Sequence, residues 1–174
     1  CYYLDDWNYK FGEPKCIFER LTPDSCPSKT DATAFCAAPR IEFDSTVNDI
    51  IITLATFPKD KESMGKSTPE SLTIHNVPLQ KWTSLILTVH GRAMDVYLDG
   101  KLVNTMILVN VPNMNNTQSL SLTPRGGFSG STANFLYHSK SLNPREAYNL
   151  YKEGCGSTNW LGGLFNRYRL KLAF

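Results

Sequence analysis

The sequence runs to 174 residues, 41% hydrophobic and 20% charged, and its 18 basic and 16 acidic side chains leave a net charge of +2. That length suits one domain able to bury a core without a metal or a dense disulfide framework. So small a net charge, with no clustered Lys/Arg tract, argues against nucleic acid or an anionic membrane as partner, and no apolar run is long enough to cross a bilayer.

The first residue is Cys1 rather than Met, and no signal-peptide pattern follows, which is expected of a processed or partial chain. Strand patterns then dominate. Residues 15–21 and 39–44 alternate apolar with polar side chains, the period of a sheet with one buried face. Between them, 22–38 is rich in Pro, Ser, Asp and Thr and reads as a surface loop. The β-branched run 48–56 predicts a central strand, 57–70 a second polar loop, and 71–76 a short strand.

Residues 82–89 form the next predicted strand, with Trp82 expected in the core, and 90–92 turn the chain. Met94, Val96 and Leu98 fall on one face of 93–98, and 101–106 returns after Asp99-Gly100. A two-residue Asp-Gly between alternating segments is the strongest short-range hairpin signal, because a type I′ turn needs positive φ at both positions. Strands are predicted at 119–122 and 130–137, around the Gly-rich turn 124–128.

One helix is predicted, from Pro144 to about Glu153. Asn143 caps it, Pro144 suits its first position, Glu146 completes a capping box, and Gly154 ends it. Ala147, Leu150 and Tyr151 supply its apolar stripe. The chain ends on a further alternation, with Tyr168, Leu170, Leu172 and Phe174 on one face and Arg167, Arg169 and Lys171 on the other. A basic edge strand with one buried side explains it better than a nucleic-acid contact. Roughly ten short strands, regular turns and one helix describe an all-β, two-sheet antiparallel sandwich.

Cys1, Cys16, Cys26, Cys36 and Cys155 form no C-x-x-C pair, and no histidine stands beside them at zinc-ligand spacing. Cys26 and Cys36 bracket a polar loop and can close it, or all five can remain thiols; an odd count leaves at least one unpaired. Asn115-Asn116-Thr117 is a sequon, meaningful only in a secretory pathway.

Several phrases together resemble a known family. Trp82 leading to Leu87-Thr-Val89, then Met94-Asp-Val-Tyr-Leu-Asp-Gly-Lys-Leu-Val103, is similar to the hairpin of concanavalin A-like, laminin-G-like jelly rolls. Gly127 to Gly130, Asn134 to Tyr137 and Ser141 to Gly154 resemble the closing strand and short helix of that family. Residues 6–15, 76–82 and 126–130 are similar to phrases in laminin-G-like proteins of large double-stranded DNA viruses.

The resemblance implies a jelly roll over residues 1–154 whose first strand lies ahead of the chain given. It implies also a C-terminal linker and docking strand at 155–174, and a place in a virion. The expected role is a non-catalytic module, such as a minor capsid protein contacting capsid or virion neighbours. The alternative is a lectin-like domain on a virion or cell surface that recognises a glycan.

Relatives of this fold include glucanases, which set E-x-D-x-x-E on one strand so that the carboxylates share a face. Here Glu42-Phe-Asp44-Ser-Thr-Val47 lacks the third acid, so leaving-group protonation has no local donor. Ile41 and Phe43 read as the buried face, leaving Glu42 and Asp44 as solvent-facing charges. His75, His90 and His138 sit in separate contexts, no G-x-S-x-G elbow occurs, and no enzyme is expected.

No cofactor is expected either. Asp44, Asn48, Asp49 and Asp95 carry the oxygen ligands that calcium takes, but no dense D-x-D or D-x-N loop gathers them. For contact with a partner or glycan the candidates are Trp160, Phe128, Trp7, Tyr9, Arg167 and Arg169. Aromatics offer stacking platforms and interface anchors, although intrachain packing claims Trp160 at least as well.

Overall fold

The computed structural model describes residues 1–21, 37–58, 67–114 and 120–155. The basic strand expected at 167–174, Trp160, Arg167, Arg169, the Cys26–Cys36 loop and the sequon at Asn115 all lie outside these residues.

Period-two alternation becomes register in the first sheet. Its strands are β2 (Lys15–Leu21), β3 (Ala37–Phe43), β4 (Ile50–Thr56), β5 (Thr68–Ile74) and β10 (Leu120–Leu122). They are antiparallel in the order β10-β2-β3-β4-β5. Phe43 pairs with Ile50 and Ile41 with Ile52, so the fully buried β4 residues Ile50, Ile52 and Leu54 share the inner face with Ile41 and Phe43. Alternation in the sequence therefore reports which residues face the core.

The opposing layer has two parts. β7 (Leu85–His90), β8 (Ala93–Leu98) and β9 (Lys101–Ile107) form one antiparallel meander. β1 (Tyr2–Asp6), flanked by β11 (Ser129–Thr132) and β6 (Trp82–Thr83), forms the other. Only Ser84 separates β6 from β7, so one chain segment carries both parts of the layer. Met94 and Val96 from β8 and Tyr2 and Leu4 from β1 are buried in the same core as the β3 and β4 residues. The result is a two-layer all-β sandwich.

The hairpin predicted at Asp99-Gly100 is present. Asp99 has φ 47°, Gly100 φ 73°, and Leu98 pairs with Lys101 across the turn. A side chain at Gly100 would also meet the Tyr151 ring at 2.8 Å, so the turn serves as a seat for α1 (Pro144–Glu153). The helix begins as its sequence requires. The Glu146 N–H donates to Asn143 Oδ1 at 3.0 Å, and the Asn143 N–H donates back to Glu146 Oε2 at 2.8 Å.

Two expectations change, and one strand, β1, carried no reading in the sequence. β1 carries only the Tyr2/Leu4 alternation, too short a pattern to mark a strand by period alone. The strand expected at 130–137 pairs only as far as Thr132. Its partner β1 supplies Tyr2 opposite Thr132, and the last bond runs from the Ala133 N–H to the Cys1 carbonyl at 2.9 Å. Trp82, expected in the core, is 41% exposed, because pairing with Tyr3 turns it outward while its neighbour Thr83 is buried.

Cys1 and Cys155 form a disulfide, joining the start of β1 to the end of α1, and Cys16 is a buried free thiol. Spacing does not expose such a pair, because a separation of 154 residues leaves no local pattern to read.

Candidate functional site

The carboxylates of the glucanase-like phrase are committed to structure. Asp44 Oδ1 accepts from the Thr46 and Val47 N–H groups at 2.8 and 3.1 Å, closing the turn after β3. These backbone bonds, the Thr46 one foremost, hold its carboxyl below the usual range. Glu42 is not the solvent-facing charge expected: its side chain is 17% exposed and lies 3.7 Å from Arg125. Burial pushes its carboxyl up, partly offset by Arg40 and Arg125.

Arg125 also pairs with Glu19 at 3.1 Å, and Glu19 holds Arg40 at 2.8 Å. This network fastens the Gly-rich turn to the outer face of β2 and β3. Pattern reading misses it because Arg125 lies more than 80 residues from its partner strands.

The histidines are not brought together. His75 Nδ1 lies 2.6 Å from Asp49 Oδ2, and His90 Nδ1 lies 3.3 Å from the Ser141 hydroxyl, both on exposed surface. The candidate calcium ligands are also spoken for. Asp49 accepts from the Asn76 N–H, and Asp95 accepts from the Thr105 hydroxyl. Among the described residues no group of three or more His, Cys, Asp or Glu side chains is placed to hold a metal ion.

The aromatic candidates divide. Trp7 and Phe128 pack edge-on against Phe43, with centroids at 5.7 and 5.1 Å, and Tyr2 joins from a third side at 5.2 Å. Phe128 and Trp7 are partly buried against the core, and Lys15 Nζ sits 4.7 Å over the Trp7 ring. Each ring thus packs one side against the core. Tyr9 is exposed, but its hydroxyl donates to the Gly126 carbonyl at 2.9 Å and anchors the Gly-rich turn. Trp82, expected in the core, stands outside instead, with the partly buried Tyr3 ring beside it at a centroid distance of 5.7 Å.

Two apolar features remain. The first lies where β9 runs out. Ile107, Val109 and Val111 are 63%, 67% and 56% exposed, while Leu108 between them is fully buried. The Glu70 carboxylate accepts from the Val109 and Asn110 N–H groups, and the Phe57 N–H donates to the Val111 carbonyl. These bonds hold the bend after β9, and Phe57, half exposed, adjoins the row. The apolar 107–109 and Val111 were its only sequence signal, and they do not declare which face is covered.

The second is a cavity of about 410 Å³ at the side of the sandwich. Every residue of 84–89 borders it, and so does every residue of 132–142. Its floor includes Ile17, Phe18 and Ile41. Phe135, stacked 5.2 Å from Phe18, and Tyr137, whose hydroxyl accepts from Arg20 at 3.1 Å, stand at its rim.

No protein-family model matches the sequence, and no curated protein does. Among solved structures, the chain is similar to the binding domain of botulinum neurotoxin serotype G. The TM-score is 0.53 at 16% identity, covering 86% of this chain and 33% of that one. The chain thus spans a third of that structure's length, and the likeness speaks to fold alone. An S-layer domain-containing protein from Clostridium thermocellum aligns over 65% of this chain and 55% of that one. Its 13% identity and TM-score of 0.32 carry no argument.

Proposed function

We propose that the chain is a non-catalytic interaction module whose exposed apolar row packs against a neighbouring protein. By its motif resemblance that neighbour is a capsid or other virion protein of a large DNA virus, and the chain a minor virion component. The observation that carries the reading is the row of Ile107, Val109, Val111 and Phe57, held rigidly by backbone hydrogen bonds. Large apolar side chains kept in line on a fixed edge are costly in water and characteristic of a contact surface. That a toxin's binding domain shares the fold is in keeping with it.

Cross-linking and mass spectrometry of purified particles test the proposal. Links from Lys101 or the residues around the row to capsid proteins are expected. Val109→Asp should abolish recruitment while leaving the far-ultraviolet circular dichroism unchanged. A particle without these links, or full recruitment of Val109→Asp, removes the reading.

The lectin-like alternative gains one specific observation, the exposed Trp82 ring packed on partly buried Tyr3 beside Lys81 and Asp99, an aromatic platform with polar neighbours. A glycan array decides it. Competable binding that disappears in Trp82→Ala favours the lectin, and a silent array leaves the protein-contact reading.

A further inference from the structure

The cavity joins an apolar lining to a buried cation. Ile17, Phe18 and Ile41 form its floor, and Leu85, Leu87 and Val89 stand along one wall, partly buried against the core. Among the charged side chains that border it, Lys140 and Glu153 are exposed, whereas Arg20 is only 4% exposed. Arg20 lies two residues beyond Phe18 on β2, and strand alternation gives both the same face. Its Nη1 donates to the Tyr137 hydroxyl at 3.1 Å, and its guanidinium carbon lies 5.6 Å from the centre of the Tyr137 ring. A guanidinium has five N–H donors, so it serves the tyrosine and a further acceptor together.

The shape is that of a slot. All six residues of 84–89 border it, a run of roughly 20 Å, and residues 132–138 face them. At the closed end β1 lies between these walls, with Tyr2 opposite both Thr83 and Thr132. The walls there stand two inter-strand spacings apart, about 9.6 Å. A volume of about 410 Å³ falls in the range of small-molecule pockets. The open side is apolar too, with Leu122, Phe135 and Leu136 all exposed along it.

We infer that the cavity binds a single-chain amphiphile with an anionic head, of the class of an unbranched carboxylic acid. The chain lies between β7 and residues 132–138, over Phe18 and Ile41, and the carboxylate meets the Arg20 guanidinium. A long narrow slot suits a linear chain better than a broad ring system. A neutral guest would gain nothing from Arg20, whereas a carboxylate matches the planar fork of its donors. Burying each methylene against the lining is worth about fourfold in affinity. The site is separate from the row at Ile107 to Val111, so it stands whether or not that row meets a partner.

Isothermal titration calorimetry of the intact chain tests it, with octanoate, decanoate and dodecanoate below their micellar concentrations. One molecule should bind per chain, with affinity rising about fourfold per added methylene. Decanol should bind at least tenfold more weakly than decanoate, the difference a charged hydrogen bond supplies. Arg20→Met should bring decanoate down to the level of decanol. Leu87→Trp, which fills the slot and leaves the charge in place, should abolish binding of both. If Arg20→Met does not fold, the decanoate–decanol difference in the parent chain decides the role of the charge. Co-sedimentation with phosphatidylglycerol vesicles separates a free acid from the acyl chain of a membrane lipid, and none is expected. No binding of any acid, affinity independent of chain length, decanol bound as tightly as decanoate, or binding to vesicles alone overturns the inference.

Discussion

The two ends of the sandwich interior are built from the same strands and packed differently. Around Phe43 the gap between sheets is filled by Tyr2, Trp7 and Phe128, each meeting the Phe43 ring edge-on. Around Leu87 the same two layers enclose a cavity, and Leu85, Leu87 and Val89 are only partly buried. The difference follows from β1. Where Tyr2–Asp6 inserts between β6 and β11, its inward side chains complete the core; past Cys1 the walls continue with a gap between them. The close packing in this molecule belongs to the first end, and open apolar surface to the second and to the exposed edge at Ile107.

Mutation separates the ends. Phe43→Ala removes the hub of four rings and should cost about 4 kcal/mol in urea unfolding, within the usual range for a buried aromatic. Leu87→Ala, at the open end, should cost about 1 kcal/mol, because its side chain already borders a cavity. Equal losses would mean that the cavity is filled in solution and the two ends are equally packed.

Arg125→Ala tests whether the closed end depends on its clasp. Glu19 and Glu42 would lose a shared partner, and the turn carrying Phe128 would lose one of its fastenings while keeping the Tyr9 bond. The side chain is half exposed, so a loss of about 1 kcal/mol is expected by chemical denaturation. No change would place Phe128's burial on apolar packing alone.

The smallest effect concerns acid. Asp44 is held below its ordinary 3.8 chiefly by the Thr46 N–H. A depressed carboxyl contributes stability above its unfolded value and loses it as pH falls through the folded one. Asp44→Asn should therefore differ in stability from the parent above pH 4 and converge with it below. A difference that persists unchanged into stronger acid would assign the effect to turn geometry rather than charge.

How much the sequence reveals can be argued residue by residue. The Asp99-Gly100 turn, the Asn143/Glu146 capping box and the alternation in β3 and β8 were legible because each is fixed by neighbours a few residues away. Trp82 was misplaced because its face depends on pairing with Tyr3, nearly 80 residues off. Trp7 and Phe128 read as contact candidates from the sequence, and their edge-on packing against Phe43 likewise depends on distant segments. The row at 107–111 and the cavity had almost no local signature, since each is defined by what neighbouring strands leave uncovered.

The sequence by itself determined the all-β class, the hairpin, the helix and its caps, and the want of a third carboxylate at Val47. These follow from local propensity and period. Only the tertiary structure decided which aromatics are core, which carboxylates are bound to arginine, and where apolar surface stays in the open. Those outcomes depend on strand register between remote segments, and a one-residue shift in register exchanges inside for outside.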